Sequence, residues 1–274
     1  TTVSAGILQG TTTSLQGNIV NNAAVAFDQA FDGTYAAVIS GTGSLTKQGI
    51  GILTLSDANT YSGGTTFVSG TVAVADNSAL GAASGVLTFD EGTLRTTATF
   101  TMARATTLTA MGGTFDVVDG TTLTQNGDIT GAGGLTKRGG GTLVLGGTNT
   151  YGGSTNVEAG ILQGTTDSLQ GPIGTLTNTG VVFDQSTTGT FGGTISGAGS
   201  LTKNGSGTVI LAGSVAHTGS TTVNAGTLQL AGDFVLNTDT TIVVNDGTFD
   251  LNGHIQRISG LSGTGGTVDL GAAA

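Results

Sequence analysis

One phrase recurs three times along these 274 residues with its internal spacing unchanged, and no other feature restricts the fold as tightly. The first copy reads Gly43, Ser44, Leu45, Thr46, Lys47, then Gly49, Gly51, Leu53, Leu55, then Asn59, Thr60, Tyr61, and closes on Thr65, Thr66 and Gly70. The second reads Gly133, Gly134, Leu135, Thr136, Lys137, then Gly139, Gly141, Leu143, Leu145, Asn149, Thr150, Tyr151 and Gly160. The third reads Gly199, Ser200, Leu201, Thr202, Lys203, Gly205, Gly207, Val209, Leu211, Thr221, Thr222, Val223 and Gly226, with His217 where the others have tyrosine. In each copy the lysine stands 14 residues before the Tyr or His and 23 before the closing glycine. Fixed spacing of this kind calls for a repeated structural unit.

A longer duplication surrounds the copies. Ala5 to Gln29 recurs as Ala159 to Gln185, and its offset drifts by two residues between Gln16 and Phe27, which places a two-residue insertion in a loop of the second half. Residues 1–10 read as the close of a truncated copy and 263–274 as the opening of another, so the expectation is a piece of a longer repetitive chain. Between glycines, apolar residues alternate with Thr, Ser or Asp, as in Thr240-Thr241-Ile242-Val243-Val244 and Thr248-Phe249-Asp250-Leu251. Short period-2 runs rich in β-branched residues read as strands, compatible with a sandwich, a barrel or a solenoid. Only a solenoid needs a phrase that returns along its length, because each coil stacks on a near copy of itself. The expectation is therefore one continuous β-helix over residues 1–274, with repeat copies at about 41–74, 131–164 and 197–230. At about 20–30 residues per coil the chain makes on the order of 9–14 coils.

Composition supports folding and narrows function. Glycine fills 51 positions, yet the chain has one proline, no cysteine and 36% hydrophobic residues, which excludes both collagen and a disordered tract. The formal charge of -10 argues against nucleic acid or an anionic membrane as partner. No stretch is long and apolar enough for a membrane-spanning helix, and the missing cysteines leave hydrophobic burial and backbone pairing to hold the fold.

The phrase Gly-x-Gly-x-Leu-Thr-Lys-x-Gly-x-Gly-x-Leu-x-Leu, continued by Asn-Thr-Tyr-x-Gly and Thr-Thr-Val-x-Ala-Gly-x-Leu, resembles the autotransporter-associated β-strand repeat of type V secreted passengers, also called passenger-associated transport repeats. Residues 250–263 resemble a second phrase of such passengers. The resemblance implies an all-β fold, a right-handed single-stranded parallel β-helix, exported to the bacterial cell surface by a C-terminal translocator β-barrel that lies outside this chain. It implies an adhesin that attaches to a host cell surface or extracellular matrix protein or glycan, or to itself. Two alternatives stand beside it: a passive stalk presenting a distal domain, and a β-helix polysaccharide hydrolase or lyase. His217, with Val215-Ala216 in place of Asn-Thr, departs from the pattern, so the third copy's turn is expected to be built differently.

Candidate chemistry is sparse. Phe-Asp occurs six times, at residues 27, 31, 89, 115, 183 and 249, and period 2 turns Phe inward and Asp outward. Stacked carboxylates could bind Ca²⁺ or cleave a glycosidic bond, but no one pair is singled out and the Gly-Gly-x-Gly-x-Asp calcium nonapeptide is missing. His217 and His254 sit in separate repeats and make no metal site; no nucleophile elbow occurs, and the Gly-x-Gly strings precede no helix. No enzymatic activity and no cofactor is expected. The nine motif positions Lys47, Tyr61, Gly70, Lys137, Tyr151, Gly160, Lys203, His217 and Gly226 are read as structural. The lysines are expected to project beside their strands into solvent and the tyrosines to pack at corners. Outward threonines of neighbouring coils are expected to stack into hydroxyl ladders.

Overall fold

The computed structural model describes residues 1–272; the last two residues of the truncated copy at 263–274 lie outside it. Strands of two to five residues account for nearly all regular structure, with one 3₁₀ turn, Asn77–Leu80, whose N-cap Asp76 accepts from the Ser78 amide. Among the described residues the registered strand pairings are parallel, and partners lie from 17 residues apart, as Ile7 with Ala24, to 23, as Thr106 with Ile129. Parallel pairing at one short, near-constant interval is what a solenoid requires: the chain returns to the same face after each circuit and lies on its own previous turn.

Two compact units result, Thr1–Leu143 with Thr150–Gly153 and Val144–Asn149 with the residues from Ser154. In the first, one ladder runs through Ile7–Gly10, Ala24–Asp28, Ser44–Gln48, Thr65–Phe67, Leu87–Phe89, Thr106–Leu108 and Ile129–Gly131. A second ladder runs through Gly33–Tyr35, Ile52–Leu55, Thr71–Val74, Thr93–Thr96, Gly113–Val117 and Leu135–Arg138. In the second unit, one ladder joins Ile161–Gly164, Gly180–Asp184, Ser200–Asn204, Thr221–Val223, Thr241–Val244 and Gly260–Ser262, and another joins Gly189–Phe191, Thr208–Leu211, Thr227–Leu230, Thr248–Asp250 and Thr267–Asp269. Each unit is a parallel β-solenoid.

Alternation sorts each strand into an interior and an exterior set. Val25, Leu45, Leu87 and Ile129 stand in one interior rank, and Leu162, Val181, Leu201 and Ile242 in its counterpart, all fully buried. Burying each such side chain contributes about 1.5–3 kcal/mol, which replaces the cross-links that cysteine would supply. Phe67 stacks on Phe89 with centroids 4.4 Å apart and planes 8° apart, and Phe89 contacts Phe115 at 5.1 Å. Five of the six Phe-Asp phenylalanines are interior; the exception is Phe31, 85% exposed, which lies outside any strand and so is not bound by the alternation.

Candidate functional site: the repeat corner and the outward face

The lysines do not project into solvent. In Ser44–Gln48 the burial alternates so that Leu45 and Lys47 point inward, and Lys47, Lys137 and Lys203 are all fully buried. The expectation of solvated lysines is thus corrected, and the reason is register: Lys47 stands between Phe27 and Phe67 in neighbouring coils, and Lys203 between Phe183 and Val223. The aliphatic stem fills an apolar rank, and the ammonium reaches the corner where the chain turns. There Lys47 Nζ donates to the carbonyls of Gln48 (2.6 Å) and Gly49 (2.7 Å), and Lys137 Nζ to those of Arg138 (2.7 Å) and Gly139 (2.6 Å). Lys203 Nζ donates to Asn204 (2.5 Å), Gly205 (2.8 Å) and Ala225 (3.2 Å). A tight turn aims consecutive carbonyls at the interior, where they would be costly without donors, and the ammonium supplies these donors. Burial lowers the pKa of Lys47 and of Lys137 to about 8, against the opposing pull of Asp28 and Asp32 on the first and Asp116 on the second; Lys203 is lowered likewise, with Asp184 opposing.

The closing glycine completes the corner. Gly70 takes φ 65° and Gly226 φ 62°, and a Cβ on Gly70 would lie 2.3 Å from the Gly49 oxygen and 2.8 Å from Lys47 Nζ. On Gly226 it would lie 2.3 Å from the Gly207 oxygen. The lysine and the glycine one coil later therefore close on a shared carbonyl, that of Gly49 in the first copy and that of Gly205, 2.6 Å from a Gly226 Cβ, in the third, which accounts for their constant separation. Gly160 has the same backbone conformation, φ 68°.

Tyr61 is fully buried, with its hydroxyl 2.7 Å from Thr65 Oγ1, and burial pushes its pKa up to about 12. Tyr151 is buried as well. His217 takes the place of the tyrosine with the same i to i+4 contact, Nε2 to Thr221 Oγ1 at 3.0 Å, but its Nδ1 has no partner and burial holds its pKa below the ordinary value. In the first copy Asn59 pins the neighbouring turn, accepting from the Ile39 amide and donating to the Asp57 and Ala79 carbonyls. Where the third copy has Val215 instead, the segment is a strand, Val215–His217, paired with Ile195–Gly197.

The outward face carries ranks of threonine in register. In the first unit Thr46, Thr66, Thr88, Thr107 and Thr130 are successive partners across five coils, and Thr71, Thr93 and Thr136 belong to a second rank in which Thr114 is buried. In the second unit Thr208, Thr227, Thr248 and Thr267 form another. Outward carboxylates are tied to the preceding coil: Gln9 donates to Asp28 (2.9 Å), Gln163 to Asp184 (3.1 Å) and Gln229 to Asp250 (2.7 Å). No group of three His, Cys, Asp or Glu residues among the described residues is placed to hold a metal.

Two features escaped the sequence reading. Arg104 is buried, and its guanidinium donates to Asn77 Oδ1 and to the carbonyls of Asn77, Gly81, Ala82 and Gly85, clamping the excursion around the 3₁₀ turn. A single cation inside the apolar run Met102-Ala103-Arg104-Ala105 was its only signal. The other is an open cleft of about 490 Å³ in the second unit, lined by residues between Ile161 and Gly219.

Against known proteins, the family model described as Passenger-associated-transport-repeat matches residues 45–74, 135–163 and 201–230. The chain is 45% identical over 222 residues, 80% of its length, to the adhesin BmaC autotransporter of Brucella suis biovar 1 (strain 1330), and spans 6% of that protein. No solved structure matches. The three matched segments are the three copies built on Lys47, Lys137 and Lys203, and with this relative they place the chain among autotransporter passengers, exported proteins held at the outer membrane or released.

Proposed function

We propose that this passenger segment is adhesive, attaching to a host cell surface, to matrix protein or glycan, or to copies of itself through its outward polar face, without catalysis. The observation that carries the reading is the threonine rank Thr46, Thr66, Thr88, Thr107 and Thr130, which at a strand spacing of about 4.8 Å sets hydroxyls along roughly 19 Å with no charged residue among them. Weak contacts repeated at a fixed interval sum along an extended partner, so affinity needs no deep pocket. The similarity to an adhesin supports the same reading. A translocator β-barrel in the full-length protein is part of the proposal. Replacing Thr46, Thr66, Thr88 and Thr107 by lysine should abolish attachment or self-association of the chain and leave its circular dichroism unchanged. Attachment at the wild-type level would refute the rank as the contact.

A second reading has one observation in its favour. The residues that define the repeat are interior or at corners, so the repeat encodes the coil and not a contact, as a stalk would require. If the isolated chain binds neither cells, matrix nor itself while the whole passenger does, the stalk reading stands.

A further inference from the structure

The cleft in the second unit arises where the two halves of the duplication differ. In the first half the turn between strands Ile19–Asn21 and Ala24–Asp28 holds only Asn22 and Ala23. In the second half Leu176, Thr177, Asn178 and Thr179 stand between Ile173–Thr175 and Gly180–Asp184, so the two-residue insertion falls there. The longer segment closes as a β-turn, the Thr179 amide and Thr179 Oγ1 both donating to the Leu176 carbonyl, with Asn178 at φ 63° in the third position, where asparagine is tolerated. This knuckle stands over the outer face of the sheet and walls the cleft.

The floor has changed in step with the wall. Gly180 stands where the first half has Ala24, between Ile161 and Ser200 in register, and a Cβ there would meet Ser200 Oγ at 3.3 Å, with Ile161 Cγ1 and the Ser200 carbonyl oxygen no nearer than 4.0 Å. Beside it Val182 pairs with Thr202, and Ala198 adds a methyl group. The floor is thus aliphatic, from Ile161, Val182 and Ala198, and the rim carries the hydroxyls of Thr177, Ser200 and Thr202 and the amide of Asn178. The side chains of Thr177, Asn178 and Thr202 make no hydrogen bond within the described protein.

We propose that this cleft is a binding site for a neutral hexose unit of a glycan. A hexopyranose has an apolar C–H face and a rim of hydroxyls that both donate and accept, the pattern that this floor and rim complement. The volume falls within the range of small-ligand sites, about 300–1,000 Å³. No charged residue lines the cleft, so a sialic acid or uronic acid carboxylate would be desolvated there without a counter-charge. The inference deepens the adhesive reading by giving one ligand class, and it is tested apart from the threonine rank Thr46, Thr66, Thr88, Thr107 and Thr130, which belongs to the other unit.

The test titrates the intact chain with the methyl glycosides of glucose, galactose, mannose and N-acetylglucosamine, with sialyllactose as the charged comparison, by calorimetry and by amide chemical-shift mapping. At least one neutral glycoside should bind and shift the amides of Thr177, Gly180 and Thr202, and sialyllactose should not. Gly180→Val, which puts a branched side chain into the cleft, should weaken binding at least tenfold with an unchanged melting curve, as should deletion of Thr177 and Asn178, which restores the short turn. Binding to no neutral glycoside, shifts confined to other residues, or wild-type affinity in either folded variant would overturn the site. The shift mapping on wild type decides the matter even where a variant fails to fold. Loss of attachment on lysine substitution of the threonine rank, with no sugar bound in the cleft, would remove this site and leave the adhesive reading intact.

Discussion

Lys203→Met isolates what the buried ammonium does. Methionine keeps most of the aliphatic stem between Phe183 and Val223, so packing changes little, but three carbonyls at 2.5, 2.8 and 3.2 Å lose their donor. A hydrogen bond to a charged group is worth about 1.5–3 kcal/mol net, and a carbonyl left buried without a partner costs about 1–3 kcal/mol. Against this, methionine relieves the desolvation of a buried charge, a term of several kcal/mol that can exceed what the charge gains. With three acceptors satisfied at once, the balance favours the lysine, and a net loss of about 2–5 kcal/mol is expected. Because a coil contacts only its neighbours, the loss should be local. Hydrogen exchange should quicken across Ser200–Asn204 and Thr221–Val223, and the unfolding midpoint in urea should fall. A variant as stable as wild type, or more so, would mean that desolvation outweighs the three bonds, and the lysine's place in the repeat would then need a reason other than stability.

The remaining perturbations read the same corner from other sides. Lys47 and Lys137 have folded pKa values of about 8 against 10.5 in the free chain, so between those values the unfolded state binds more protons. Stability should therefore rise with pH through that window, by up to about 1.4 kcal/mol per unit per lysine, with no gain below pH 8. Tyr61, raised from 10.0 to about 12, works the other way: above pH 10 the unfolded tyrosine loses its proton first, so denaturation midpoints should peak near pH 10; a monotonic fall from pH 7 would contradict the lysine assignments, and a rise continuing to pH 12 that of Tyr61. Gly226→Ala should cost about 2–5 kcal/mol from left-handed strain plus the carbonyl contact, whereas Gly6→Ala, at φ 73° with nothing near its Cβ, should cost only about 1–2 kcal/mol; equal losses in thermal unfolding would show that the close approach is immaterial. His217→Tyr removes a buried nitrogen without a partner and should stabilise by about 1 kcal/mol. The folded His217 pKa lies below 6.5, so the unfolded state takes up the proton first and stability falls as pH drops below that value; the tyrosine variant should lose this acid limb.

The coil was legible in the sequence because its determinants are local and periodic: alternation in Leu143-Val144-Leu145, glycine where φ is positive, and a phrase returning at fixed spacing. The inward turn of Lys47 was legible in principle as well. Lys47 lies two residues after Leu45, the same parity, and alternation alone puts it inside; the habit of assigning charge to solvent overrode the period. The altered third turn was signalled by Val215, a β-branched residue where Asn59 makes three backbone bonds, and it became a strand. The cleft was not legible. The two-residue drift located a longer loop, but that Leu176–Thr179 would stand over Gly180 and Val182 depends on how neighbouring coils stack, which sequence spacing does not specify.

Placing cations inside the coil changes the charge that a partner meets. All three lysines and Arg104 are buried, and no Asp or Glu is buried among the described residues. The solvent-facing charge is thus seventeen acids against Arg95, Arg138 and Arg257, more negative than the formal -10 implies. Polyanions meet that surface with repulsion at low ionic strength. It also selects among glycans: a neutral sugar approaches the hydroxyl ranks and the cleft without electrostatic cost, and an acidic one does not. Amine-directed labelling at pH 8 should therefore modify Lys47, Lys137 and Lys203 only as the coils open. Rapid labelling of any of the three lysines in a fully folded chain would refute the inward register on which this charge distribution depends.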